Sequence, residues 1–261
     1  MNISLHHKNA LVGGASTGIG RAVAIELAAL GANVILVART ERNLQAALAE
    51  LDTAAGQRHG YLVADFDDSM ILLGKVSEIL RQQPIHILIN NTGGPPGGAV
   101  TEAPPEAFLR AYHNHLVCNQ LMAQAALPGM KAAGYGRIIN IISTSVKEPI
   151  DHLGVSNVTR SAVAAWAKTW SNEVGQFGIT VNNVLPGYTV TPRLREILDK
   201  TAERTSLSVD LLEKKFQNEV PLRRFADPAE IAAAVAFLAS PAAGYITGIN
   251  LPVDGGRTRS L

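Results

Sequence analysis

The sequence predicts an α/β protein: one doubly wound parallel sheet of about seven strands, with helices on both faces. Three observations predict it. Apolar runs of four to eight residues alternate with longer segments whose apolar residues recur at helical spacing, the mark of repeated βαβ units. Those short runs are continuously apolar, as strands covered on both faces must be. The chain has 261 residues, 47% of them hydrophobic, enough for one large core, and it contains no linker and no internal repeat. A single domain over 1–261 is expected.

Each element follows in order. NALVGG (9–14) is a short buried strand that leads into a glycine loop. Val23, Leu27 and Leu30 then mark a helix, and Gly31 stops it. VILVA and TERNLQAALAEL are the second strand and helix, and YLVAD and DDSMILLGKVSEILRQQ the third pair. HILIN is the fourth strand; the loop NNTGGPPGG opens from it towards a long helical stretch over 105–133. RIINIIS is the fifth strand, 155–175 a helix, and ITVNNVLP the sixth strand. A charged helical stretch fills 192–219, PAEIAAAVAFLAS is a further helix, and GINLPVDGG closes the series. Right-handed crossovers place the helices on both faces, and ligands of such sheets bind beyond the carboxyl ends of the strands.

Charge and composition narrow the function. The formal net charge is +1, from 23 basic and 22 acidic side chains, which argues against nucleic acid or membrane as partner. Cys118 is the only cysteine, so no internal disulfide forms, and it reads as a small core residue. The opening MNISLHHKNA lacks the apolar core of a signal peptide, and no apolar run is long enough to cross a bilayer. A cytoplasmic protein is expected. His113 and His115 are two apart on a helix and face different ways, so they form no metal pair, and no metal is expected.

GGASTGIG sits between the first strand and the first helix. Gly14, Gly18 and Gly20 allow a tight turn and close approach to a ligand, and the helix N-terminus offers free N–H groups to a pyrophosphate. The turn, with Ser16, Thr17 and Ile19 among its residues, is therefore a candidate dinucleotide cradle of Rossmann type. VILVARTERN puts Arg39, not an acidic residue, just past the second strand. Its fork suits a 2′-phosphate, with Arg42 as a second contact, so NADP(H) is expected over NAD(H).

The Gly-x-x-x-Gly-x-Gly spacing resembles that of the short-chain dehydrogenase/reductase family. ADFDD, NNTGG, NIIS, PG and the closing VDGG come in that family's order, and the resemblance runs from about Lys8 to Gly256. It implies that Asp65 bonds the adenine with Phe66 beside it. It also implies that Asn91 and Gly93 line the adenosine ribose, and that Pro186, Gly187 and Thr189 hold the nicotinamide. The segment 192–220 would be a lid over the substrate.

The family uses Asn, Ser, Tyr and Lys in catalysis, and here the resemblance breaks. Ser143 stands where the serine belongs. Thirteen residues on, Ser156 stands in place of Tyr, and four further on Arg160 stands in place of Lys; His115 takes the usual Asn position. A phenol titrates near pH ~10 and a serine hydroxyl is far less acidic. Arginine cannot relay protons, although its fork could hold ribose hydroxyls. His115, with an ordinary pKa of about 6.5, is then the natural alternative donor. Ser156 capping its helix, with Arg160 on the surface, is the bland alternative. His152 and Tyr188 are candidate substrate contacts. The leucines of 192–220, and pocket motifs without a cationic cluster, favour an apolar or mixed substrate.

Two functions remain open. One is an NADP-dependent oxidoreductase interconverting a carbonyl and an alcohol, with 3-oxoacyl carrier-protein, sugar or small-alcohol substrates. The other is a nucleotide-binding scaffold or regulator that has lost turnover. Helices 113–133 and 155–175 carry small and apolar residues on more than one face, including two tryptophans hard to bury against one sheet. The resemblance makes them a four-helix interface, and a homotetramer is expected.

Overall fold

A computed structural model describes residues 1–260. Among them, seven strands form one wholly parallel sheet: β1 (Asn9–Gly13), β2 (Asn33–Ala38), β3 (Gly60–Val63), β4 (Ile87–Asn90), β5 (Gly136–Ile141), β6 (Ile179–Pro186) and β7 (Asn250–Val253). The spatial order is β3-β2-β1-β4-β5-β6-β7. The winding reverses between β1 and β4, and the loops leaving those two strands part there, which opens a crevice.

Period-2 geometry explains the apolar strands. Val34 and Leu36 of β2 enter one core while Ile35 and Val37 enter the other. The first core is covered by α1 (Gly18–Ala29), α2 (Glu41–Leu48) and α9 (Pro228–Ala239). The second is covered by α3 (Ser69–Gln82), α5 (Cys118–Ala133) and α6 (Gly154–Val174). Local chemistry fixes the ends: α9 opens with a capping box in which Asp227 and Glu230 bond each other's backbone N–H groups.

Two long stretches differ from the expectation. The 105–133 helix is α4 (Pro105–Tyr112) joined to α5 by a π-helical turn over His113–Val117. Such a turn carries an extra residue, and here it buries His115 while Asn114 bonds Asp67. The 192–219 stretch is two helices, α7 (Pro192–Thr205) and α8 (Val209–Glu219). Ser206 ends α7 in the left-handed region at φ 57°, and Ser208 caps α8 through the Leu211 N–H.

The carboxyl half of the sheet is less apolar than the sequence pattern suggested. Asn90, Asn140, Asn183 and Asn250 stand in register on adjacent strands β4 to β7. Each Nδ2 donates to the next Oδ1 at 2.8 Å, so four amides form one ladder through the protein interior. Asn140 and Asn183 are buried, and the ladder is what meets their hydrogen-bonding needs.

The two tryptophans are also satisfied within the chain. Trp166 and Trp170 both donate Nε1–H to Gln120 Oε1, at 2.7 and 2.9 Å. No helix of the described residues is long and apolar enough to cross a membrane.

Candidate active site

The glycine turn is shaped by backbone. Gly14 and Gly18 both lie at φ 56°, where a Cβ is strained. A Cβ on Gly20 would stand 2.3 Å from the Gly14 carbonyl oxygen, so the turn can close on α1 only with glycine there. Asn91, one residue past β4, braces the turn by donating Nδ2–H to the Gly13 carbonyl at 3.1 Å and, more weakly, to Gly14 at 3.4 Å. Thr17 stands at the N-cap of α1 without a side-chain bond to the helix, which leaves the first N–H groups open to an anion. Ser16 and Ile19 are half-buried beside it. Arg39 is exposed just past β2, and Arg42 is exposed in the first turn of α2. Asp65 is exposed and accepts the Asp67 N–H through Oδ1 at 3.1 Å. A cradle of this shape and charge fits a phosphorylated dinucleotide.

The other end of the crevice lies under β4 and β5. Ser156 and Arg160 share one face of α6, and each is only 9% exposed. The helix cap is Leu153, so Ser156 does not cap it, and Arg160 is not a surface residue. Arg160 donates Nη1–H to the Ile141 carbonyl at 2.8 Å, while its buried Nε–H has no partner among the described residues. Burial, then the charge of Arg193, pull its pKa down to about 10. Ser143 lies two residues past Ile141, and its Oγ accepts the Ser145 N–H at 3.1 Å. His115 bonds the Gly93 backbone; burial above all, and then Arg160, push its pKa down to about 2. The expected titration near 6.5 is thereby lost: His115 is a neutral imidazole, because a charged ring would be desolvated beside a cation.

The loop 91–94 joins the two ends. Asn91 holds the glycine turn, and Gly94 faces Arg160: a Cβ on Gly94 would lie 3.7 Å from Arg160 Nη2 and from Arg193 Nε and Nη2. Three residues span at most roughly 11 Å. The space beside Gly93 is open, with nothing within 4 Å of the position a Cβ would take.

Other expected residues sit differently. The Phe66 ring is buried beneath Gly13, 3.2 Å from where a Cβ would be, so its side chain is a floor for the turn. Pro186 ends β6, and Gly187 packs so close to Asp254 that a Cβ would come within 2.7 Å. Thr189 is buried and bonds the Gly187 carbonyl at 3.1 Å. Tyr188 stacks on Phe216 at 4.8 Å and donates to Glu219 at 3.0 Å, and burial pushes its pKa up to about 12, so its hydroxyl is committed. His152 lies against Arg204 Nη1 at 3.0 Å.

Two residues escaped the sequence reading. Thr191 caps α7 through the Leu194 N–H, and its methyl lies 3.2 Å from where a Gly18 Cβ would be, over the mouth of the glycine turn. Its Thr-x-Thr-Pro context was the available signal, since Pro192 favours a helix start. Arg193 follows; it donates to the Pro95 carbonyl at 2.7 Å and pairs with Glu196 at 2.8 Å. The pocket therefore does hold a cationic pair, contrary to the expectation. Arg193 belongs to no pocket motif and is brought there by α7.

Fold and crevice together define an oxidoreductase of the nucleotide-binding α/β kind. A family model described as enoyl-(acyl carrier protein) reductase matches residues 14–258. The 3-oxoacyl-[acyl-carrier-protein] reductase FabG of Pseudomonas aeruginosa is 34% identical over 258 residues, 97% of this chain and 98% of that protein. The structure of L-sorbose reductase from Gluconobacter frateurii, solved with NADPH and L-sorbose, matches over 100% of both chains with a TM-score of 0.92 and 30% identity. Actinorhodin polyketide ketoreductase, solved with NADPH, matches over 97% of this chain and 98% of that one, with a TM-score of 0.90 and 30% identity. The chain belongs to the short-chain dehydrogenase/reductase family, a family of NAD(P)-dependent oxidoreductases.

Proposed function

We propose that the chain is an NADP-dependent carbonyl reductase whose proton-relay residues depart from those of its family. The observation that carries this is the 91–94 loop, which ties an anion-binding glycine turn to the Ser156–Arg160 face of α6 within one crevice. NADP(H) is favoured over NAD(H) because Arg39 stands where a carboxylate would repel a 2′-phosphate. The sorbose and actinorhodin reductases, both solved with NADPH, agree.

In this reading Gly14 to Gly20 hold the diphosphate, Asp65 the adenine, and Gly93, Gly187 and Thr189 the remaining ring edges. Arg160 turns its fork to the nicotinamide-side ribose. The cofactor, when bound, supplies the hydride. Ser143 Oγ–H orients the carbonyl oxygen, and Ser156 Oγ–H donates the proton to it. The replacement proton reaches Ser156 from solvent along a water path, which neutral His115, bonded to Gly93, orients by accepting a hydrogen bond. Ser156 and Arg160 thus replace the family's Tyr and Lys, Ser143 keeps its serine, and His115 replaces its Asn. Segment 192–220 closes over the substrate as a lid, and the whole of 1–261 acts as one domain. The functional unit is a homotetramer built on helices 113–133 and 155–175, which light scattering at micromolar concentration tests.

The decisive experiment follows NADPH absorbance across a panel of 3-oxoacyl, sugar and small carbonyls. Turnover supports the reading; tight NADPH binding without turnover on any of them overturns it. A scaffold that binds nucleotide without catalysis is the second reading, favoured by one observation: neither Ser156 nor a neutral His115 is a strong acid. Ser156→Tyr with Arg160→Lys separates the two. The pair harms a working altered site, and creates activity only in a site that has decayed.

A further inference from the structure

Opposite charges gather where β2 and β3 end. Ala38 and Val63 are register partners, and the Ala64 N–H donates to the Ala38 carbonyl at 3.0 Å. Arg39 and the turn 65–68 therefore leave the sheet side by side, since neighbouring strands lie about 4.8 Å apart. The turn folds back on itself: the Asp67 N–H bonds Asp65 Oδ1 at 3.1 Å, and the Asp68 N–H bonds the Asp65 carbonyl at 3.2 Å. The Asp67 carboxylate is thus brought near the arginine that would read a 2′-phosphate. A free carboxylate in that place would pair with Arg39 and repel a phosphate.

Asp67 is not free. Arg110 on α4 donates Nε–H to Asp67 Oδ1 at 3.1 Å and Nη2–H to Oδ2, so its fork takes both oxygens. Asn114, on the π-helical turn that follows, adds Nδ2–H to Oδ1 at 2.5 Å. These bonds, that of Arg110 first, hold the Asp67 carboxyl below the usual carboxylate range, and the charge of Arg39 adds to the effect. Arg39 is thus within electrostatic reach of Asp67, yet it is exposed and joins no ion pair among the described residues.

We infer that Arg110 is a positioning residue that sets coenzyme specificity: by holding Asp67 it keeps Arg39 open to the 2′-phosphate of NADP(H). The inference rests on the reading of Arg39 as the phosphate contact. Arg110 acts through Asp67 and needs no contact with the coenzyme. Its side chain is 71% exposed, so its replacement opens no cavity, and an exposed ion pair adds little to folding. Its weight falls on the phosphate, whose full charge meets whatever sign the cluster carries.

The test is fluorescence titration of the full chain with NADPH and with NADH at low ionic strength. Wild type, Arg110→Gln, Asp67→Asn and the double variant are compared. Wild type should prefer NADPH. Arg110→Gln should cut that preference about tenfold, as much as the loss of Arg39 itself, because the released carboxylate then takes Arg39. The drop should lie in NADPH affinity, with NADH binding within about twofold of wild type. Asp67→Asn alone should keep the preference at or above that of wild type. The double variant should return to within about twofold of wild type, which neither a lost direct contact nor a loosened turn would do. In about 1 M salt, where the Debye length is about 3 Å, the effect of Arg110→Gln should shrink below about twofold. An unchanged preference in Arg110→Gln, an equal weakening of both coenzymes, or a loss that persists in the double variant overturns the inference and leaves Arg39 as the phosphate contact. A wild type without preference for NADPH overturns the Arg39 reading, and the inference with it.

Discussion

The two ends of the crevice are built by opposite means. At the glycine end, backbone supplies the shape: two residues in the left-handed region, one glycine that admits no Cβ, and an asparagine brace. At the arginine end, side chains supply the character: a cation buried without a counter-charge, a histidine held neutral, and two serines. Backbone shape is written in neighbouring residues and tolerates no substitution. Side-chain character is assembled from distant segments and can drift while the fold stays fixed. The same sheet thus holds one end constant and leaves the other free to acquire new chemistry.

Substitutions at the two ends should separate these roles. The largest effect is expected for Gly20→Val, whose side chain must displace the Gly14 carbonyl. NADPH affinity should fall at least about a thousandfold, some ~4 kcal/mol, while far-ultraviolet circular dichroism stays native. Near-normal binding would mean that the turn does not hold the diphosphate. Next comes Asn140→Ala, which strands the Asn90 amide donor and the Asn183 acceptor inside the sheet. Urea unfolding should show a loss of about 3 kcal/mol. A loss below about 1 kcal/mol would mean the ladder is not needed.

His115 gives a signature in pH. Its folded pKa, about 2, lies below its unfolded value, so the unfolded chain takes up a proton as pH falls below about 6.5 and the native one does not. Its contribution to stability is intact above that pH and declines by about 1.4 kcal/mol per unit between about 6.5 and 2. His115→Gln should flatten that limb of the stability profile; an unchanged slope would show that the ring is free to charge in the native state. The smallest effect is expected at the exposed Arg39. Arg39→Ala should cut the preference for NADPH over NADH by about tenfold, read by fluorescence titration. No change in the ratio would move the phosphate contact elsewhere.

The same contrast explains what the sequence disclosed. The strand and helix alternation, the glycine turn and Arg39 are local patterns, legible within a dozen residues. The π-helical turn was not legible, because a helical pattern running from 105 to 133 gives no sign of one added residue. The bracing bond from Asn91 to Gly13 was not legible either, because it spans 78 positions. The direction of the Phe66 ring, down under Gly13, was not legible, since only the packed turn shows which way it falls. Arg193 was invisible as a pocket residue. It lies outside the motifs, and its approach to Gly94 depends on where α7 comes to rest. The partner of the two tryptophans was hidden for the same reason: Gln120, on another helix, receives them both.

The four asparagines from β4 to β7 all point their amides the same way, each donor handing on to the following acceptor. Such a row has two self-consistent settings, forward or reversed, and a single member turned over would face like against like. The amides are therefore locked as a set. Their group dipoles add along the row, and the acceptor at its head, Asn90 Oδ1, is the atom left without a donor. It lies beside the crevice, one residue before Asn91. A change of partner at that one oxygen would be felt three strands away.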